Sequence, residues 1–411
     1  MIRFRLTLLS FLQFFIWGSW LITIGTFWFE TKKWGPQDYG VIFSTMGIGA
    51  LIMPAIMGII ADRYLSAQKL YGILHFLGGI GLYFIPSAAT PADMFWRILI
   101  TMFFYMPTIS ISATVCYHIL SKEGYDIVRT FPRVRVWGTV GFIAALWTVS
   151  LTHNEASANQ FFIGSAVSIL LGIFSFTLPD CPPAGKIKTE KGWMNNLGLD
   201  AFKLFKDYQF SIFFIFSMLL GAALQLTNAY GDVFLHVFDK NPNYAHSLVV
   251  KYPAMIMSIS QISETLFILA IPFFMKRFGI KQVMLISMIA WVLRFGLFAF
   301  GNPGDGLWMI VLSCIIYGMA FDFFNISGSL FVEQNTSEGI RSSAQGVFTM
   351  MVNGVGAVLG SVVSGFVIEH YFQDAQGTMD WQSIWLSFAG YSLLVAIAFA
   401  LLFKNKPLTA Q

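Results

Sequence analysis

Met257 to Leu269 reads "MSISQISETLFIL", a stretch apolar enough to sit in lipid that nevertheless carries Gln261 and Glu264. A charged side chain at the centre of a bilayer costs roughly 2.5–3.5 kcal/mol on insertion scales, so a carboxylate held there has a task to offset it. The stretch "IIYGMAFDFFN" (315–325) repeats the pattern with Asp322. The surrounding composition favours lipid over a soluble core. Of 411 residues, 56% are hydrophobic and only 11% charged, against about 25% charged in a typical soluble domain.

A helix crosses the hydrocarbon with about 20 apolar residues. Runs of that kind fall at 6–29, 40–61, 70–89, 94–120, 134–152 and 159–179, and again at 210–235, 253–275, 282–301, 307–332, 343–368 and 383–403. The sequence therefore predicts an all-α membrane protein of twelve transmembrane helices. They form an N-terminal six-helix bundle over 1–180, a cytoplasmic linker over 181–209 and a C-terminal six-helix bundle over 210–411. The first run follows a basic start and continues past twenty residues, which is too long for a cleaved signal peptide. With both termini in the cytoplasm, the inner segments hold most of the 25 Lys and Arg, among them Arg3, Arg5, Arg63, Lys69, Arg129, Arg133, Arg135, Lys186, Lys188, Lys191, Lys276, Arg277, Lys281, Arg341 and Lys406. The outer segments keep Lys32, Lys33, Arg97, Lys240 and Lys251. This asymmetry sets the orientation.

In the linker, Leu197, Leu199, Phe202 and Phe205 lie among lysines, a pattern that suits either a segment along the membrane surface or a simple tether. Cys116, Cys181 and Cys314 show neither disulfide nor metal-ligand spacing and read as packing residues. Gly354, Gly356, Gly360 and Gly365 in "GVGAVLGSVVSG" include a GxxxG spacing that lets helices approach closely. Arg294, in the ninth run, is expected to snorkel outward. No metal cluster and no Ser/His/Asp grouping suggests an enzyme.

Polar and aromatic residues recur at helical spacing within four runs, so each set shares a face. Arg135, Thr139 and Phe142 lie in the fifth, Gln225 and Asn228 in the seventh, Gln261 and Glu264 in the eighth, and Tyr317, Phe321 and Asp322 in the tenth. Amides also serve as interhelical glue, and the rings as packing. Two midplane acids are harder to account for that way. Taken together, the sets predict a polar central cavity whose amides, carboxyls and aromatic faces suit a neutral, ring-bearing, hydroxyl-rich ligand, a nucleoside or a sugar. A phosphorylated nucleotide would need more buried cations than Arg135.

Two sets of six helices, with short basic turns at Arg63 and Arg277, resemble major facilitator transporters. The turn "GIIADRYLSAQKLYG" carries part of the facilitator loop motif at Gly58, Asp62 and Arg63, with Leu65 in place of its second glycine. The runs "LSFLQFFIWGSWL", "VRVWGTVGF", "FSMLLGAALQLTN", "MSISQISETLFIL", "YGMAFDFFNISG" and "GLDAFKLFK" resemble the bacterial nucleoside:proton symporter family from Leu9 to Phe403. The resemblance implies a major facilitator fold and proton-coupled nucleoside import across the inner membrane by alternating access. A narrower xanthosine-type permease and a sugar–proton symporter are the alternatives. It implies a substrate site of Arg135, Thr139, Phe142, Gln225, Asn228, Gln261, Glu264, Tyr317 and Phe321. Asp322 would carry the coupled proton, with Glu264 as second choice. Ala223 departs from the pattern, standing where an acid is expected. The expected partners are nucleosides such as uridine and adenosine, and the lipid bilayer. No cofactor beyond the proton, no nucleic acid and a monomeric state are expected.

Overall fold

The computed structural model describes residues 2–183 and 199–404. The expectations for Lys186, Lys188, Lys191, Leu197 and Lys406 lie outside the described residues. The chain is α-helical: α1 Ile2–Gly18, α2 Pro36–Arg63, α3 Ala67–Phe84, α4 Pro91–Lys122, α5 Ile127–Leu151, α6 Asn159–Ser175 and α7 Tyr208–His236. The long run Ile259–Phe300 breaks at Gly279 (φ 75°, ψ 172°), giving α8 (259–278) and α9 (280–300). After it come α10 Leu307–Asn335 and α11 Glu338–Thr349, which continues through a wide turn into Ala357–Val367, and then α12 Trp381–Leu402.

Local chemistry sets the ends. Proline stands at the first turn of α2 and α4, where its missing N–H costs nothing. The Asp93 amide donates to Thr90 Oγ1 (3.1 Å) and the Arg129 amide to Asp126 Oδ1 (3.2 Å), capping α4 and α5. Gly279 takes a backbone angle that a side chain rarely tolerates, and it does so in the basic turn "KRFGIK" read as an interhelical loop.

Among the described residues, nine segments are long and apolar enough to cross a membrane, and one of these is the double-length Pro253–Phe300. The expected crossings at 6–29 and 159–179 fall on α1 and α6, each a 17-residue helix. The first run is not one unbroken helix: α1 stops at Gly18, and a six-residue wide-turn stretch follows at Phe27–Lys32. Its backbone stays coiled between them, because the amides of Leu21, Ile24 and Phe27 still donate to Trp17, Trp20 and Thr23.

By compactness the chain divides into two units. The first is Met1–Thr189 with Asn228–Ser258 and Ser361–Glu369; the second is Glu190–Thr227, Ile259–Gly360 and His370–Gln411. In the first unit, α1 packs on α5 backbone to backbone: a Cβ on Gly141 would stand 2.1 Å from the Phe11 carbonyl oxygen, and one on Gly18 2.6 Å from that of Phe142. A buried polar knot joins α1, α3, α4 and α6. The Gln13 amide donates to Thr108 (2.9 Å) and accepts from Tyr71 (2.6 Å), and His75 lies 2.8 Å from Gln13 and 3.2 Å from Ser168. Residues 228–258 and 361–369 join this unit through Tyr39 Oη, which donates to the Ala229 carbonyl (2.9 Å), and through the Gln37 amide, which donates to Glu369 (2.8 Å). In the second unit the glycines of α11 give the close approach their spacing implies, Gly356 against Met218 and Gly360 against Ala222. Leu199–Lys206 forms a short tight helix whose Phe205 ring lies 4.9 Å from Phe214. The three cysteines are buried thiols.

Candidate functional site

The candidate residues divide between the two units. In the second unit, α8 and α10 carry the acids. They meet at Gly318, where a Cβ would stand 2.6 Å from the Glu264 amide nitrogen. Ser263 Oγ donates to the Ile315 carbonyl across the same contact. This closeness brings four candidate side chains together. Tyr317 lies within electrostatic reach of Glu264 and Asp322 and within hydrogen-bonding reach of Gln261, and the two acids act on each other. Asp322 is buried at 5% exposure, and its Oδ2 is without a hydrogen-bond partner among the described residues. The rings of Tyr317 and Phe321 stack at 5.9 Å and 10°, and Trp291 meets Tyr317 edge-on at 5.9 Å. Gln225 is half-buried on α7. A small gap beside Phe321, with room for about one water molecule, is lined by Trp291, Phe324, Asn325 and aliphatic residues. It shares only Phe321 with the candidate set.

In the first unit, Arg135, Thr139 and Phe142 follow one another along α5. The Arg135 guanidinium lies 4.0 Å over the Phe14 ring, a cation–π contact that holds the long side chain against α1. Thr139 is half-buried and Phe142 buried, while Asn228 is half-buried on α7. Ala223, the one departure from the expected pattern, is also buried.

Arg294 corrects the sequence reading. It does not snorkel outward but is fully buried in the second unit. Its Nε and Nη2 donate to Thr227 Oγ1 (2.8 and 2.6 Å), and its Nη1 donates to the Ser313 carbonyl (2.7 Å) and Ser260 Oγ (3.4 Å). A guanidinium too far from the interface to reach water must have its donors satisfied internally, and three neighbouring helices do this.

Sequence reasoning also missed a cluster in the first unit. His236, near the end of α7, has Nε2 3.0 Å from Glu155 and 3.6 Å from Asp232, and Nδ1 3.2 Å from Asp239. Carboxylates only accept, so an imidazole facing them with both nitrogens is suited to its protonated form. Thr26 Oγ1 donates to Asp232 (2.6 Å) and the Ala254 amide to Glu155 (3.0 Å). Glu155 lies in the loop after α5. Burial works against its charge, but hydrogen bonds and attraction from His236, with help from Ser150 and Ala254, hold its carboxyl below the usual range. The i, i+4 spacing of Asp232 and His236 was a signal; their partner Glu155 is far away in sequence.

The model for the nucleoside H+ symporter family matches residues 1–407. The chain belongs to this family. It is 53% identical over 406 residues to the nucleoside permease NupG of Escherichia coli K12, covering 98% of this chain and 96% of the relative. It is 51% identical over 404 residues to the xanthosine permease of the same organism, with the same coverage. A crystal structure of the nucleoside transporter NupG in mutant form superposes with a TM-score of 0.95, covering 98% of this chain and 100% of that one. The fold is that of major facilitator transporters, and a peptide transporter shares it at 12% identity and a TM-score of 0.73. The chain is thus a multi-pass membrane protein among relatives that are permeases.

Proposed function

We propose that this protein imports nucleosides across the bacterial inner membrane in symport with protons, by alternating access, with both termini cytoplasmic. The observation that carries the reading is the gathering of Glu264 and Asp322 around Tyr317 inside an apolar helical bundle, in a chain matched over its length by nucleoside symporters. In this reading Asp322 takes the coupled proton from the outside and gives it up to the cytoplasm, and the proton is the only coupling ion. Each charge moved inward draws about 2.3 kcal/mol per 100 mV of membrane potential. Glu264 and Gln261, one turn apart, accept from a ribose diol. Tyr317, Phe321 and Phe142 cover the rings, and Arg135, Thr139, Gln225 and Asn228 meet the base edge or sugar. The functional halves are residues 1–180 and 210–411, joined by the linker, and the protein works as a monomer.

Uridine and adenosine are the substrates we expect. The near-equal identity to a xanthosine permease supports a narrower xanthosine carrier as the second reading. Uptake of labelled uridine, adenosine and xanthosine in cells lacking their own carriers, with and without a protonophore, tests both. Accumulation of uridine and adenosine that collapses with the protonophore supports the broad symporter, and accumulation of xanthosine alone supports the second reading. Competition of uridine uptake by free sugars but not by nucleosides would overturn both.

A further inference from the structure

Arg294 has no part in the mechanism above, yet a buried cation inside a membrane is costly and is retained for a task. Its surroundings say which. Among the described residues it has no carboxylate at ion-pair distance. Instead it bonds Thr227 on α7, Ser260 on α8 and the Ser313 carbonyl on α10, and Ser313 Oγ donates back to its own carbonyl (2.9 Å). Its guanidinium carbon lies 4.7 Å from the centre of the Tyr317 ring and 5.1 Å from that of Phe298. Tyr317 also lies within electrostatic reach of Glu264 and Asp322 and within hydrogen-bonding reach of Gln261. The titratable groups that face Arg294 are Cys314 and Tyr317 on α10, and Tyr317 in turn feels Glu264 and Asp322. α7 offers it only the Thr227 hydroxyl.

Two roles follow from this geometry. The planar fork, which bonds three helices at once, fixes the face of Tyr317 that the site uses; an ammonium cannot reproduce that fork. The permanent positive charge also balances the acids. Within the second unit, two carboxyls and one guanidinium leave one negative charge when no proton is bound and none when one is bound; Arg135 belongs to the first unit and is exposed. A near-neutral interior is the form least penalised in crossing between the two faces of a membrane.

We propose that Arg294 is the positioning residue and fixed counter-charge of the second unit's share of the proton-coupled site: it holds Tyr317 in place and balances the one negative charge that Glu264 and Asp322 keep when a single proton is bound. The inference rests on the symport reading, and its test separates the two.

Arg294→Met, Arg294→Lys and Thr227→Val are purified, checked for monodispersity and reconstituted in proteoliposomes. Uridine counterflow without a proton gradient gives KM, and pH-driven uptake gives the pH of half-maximal rate. Arg294→Met loses both roles: KM rises about tenfold, and the half-maximal pH moves up by about one unit, because the cation that shares Tyr317 with the acids no longer favours their charged form. Arg294→Lys and Thr227→Val keep a cation, so KM rises while the pH curve stays where it was. A wild-type pH curve in Arg294→Met, or equal shifts in the Met and Lys variants, overturns the counter-charge role. Unchanged KM in all three overturns the positioning role. If Arg294→Met does not fold, the Lys and Val variants still decide: a pH curve that moves in either, or a KM that moves in neither, contradicts the proposal. Wild-type protein with no pH-driven uridine uptake is a failure of the symport reading itself.

Discussion

Replacing Gly318 with alanine tests whether the α8–α10 contact sets the geometry of the acids. The new Cβ would stand 2.6 Å from both the Glu264 nitrogen and the Ser263 carbonyl carbon, and 2.7 Å from the Ser263 oxygen. All three are backbone atoms and cannot turn aside. Ordinary contact begins near 3.4 Å, so the helices must separate by the difference, about 0.8 Å. Such overpacking costs about 1–3 kcal/mol in a close-packed interior. The displaced strip carries Glu264, and the bond from Ser263 to Ile315 spans the same gap. A misplacement near 1 Å in a binding constellation costs up to about 100-fold. We therefore expect uridine kcat/KM to fall about 10- to 100-fold, with a lower melting temperature in detergent. Gly296→Ala is the internal control: it lies in α9 with nothing within 4 Å of its Cβ, so uptake stays at the wild-type level. Gly318→Ala with uptake within about twofold of wild type would refute the reasoning, since the clash is then absorbed without moving Glu264.

Glu155→Gln should lower stability at pH 7 by about 1–2 kcal/mol, less than the full loss of a buried ion pair because Asp232 and Asp239 remain beside His236. The Glu155 carboxyl is held below 4.5, so its contribution is full above the unfolded value and is lost as pH falls through the folded one. Melting curves should show the gap between variant and wild type closing below pH 4.5; a gap that is constant with pH would contradict the pairing. For Glu264→Gln, uridine binding should weaken about tenfold while binding of its 2′- and 3′-deoxy analogues changes less. Equal losses for all three would remove the carboxyl from the ribose diol.

The membrane class and most helix positions were legible in the sequence, and the two acids stood out as candidates, because each depends on the residue itself in a hydrocarbon solvent. "MSISQISETLFIL" declares both a crossing and its exception. The break at Gly279 was legible too, as a basic turn between apolar runs. What was hidden depends on partners distant along the chain. Arg294 reads as a snorkelling arginine until Thr227, Ser260 and Ser313 from three other helices are seen to take its donors. Asp232 and His236 show helical spacing, but nothing local says that Glu155 completes them. The early end of α1 at Gly18 was also invisible, as was the close approach of the Phe142 backbone to that glycine.

The central claim is that a carboxyl buried beside Tyr317 couples the proton to the nucleoside. Asp322→Asn in proteoliposomes addresses it, comparing uridine counterflow with accumulation driven by an imposed pH gradient. The account predicts that counterflow persists while pH-driven accumulation disappears. Accumulation at the wild-type level in the asparagine variant would contradict it.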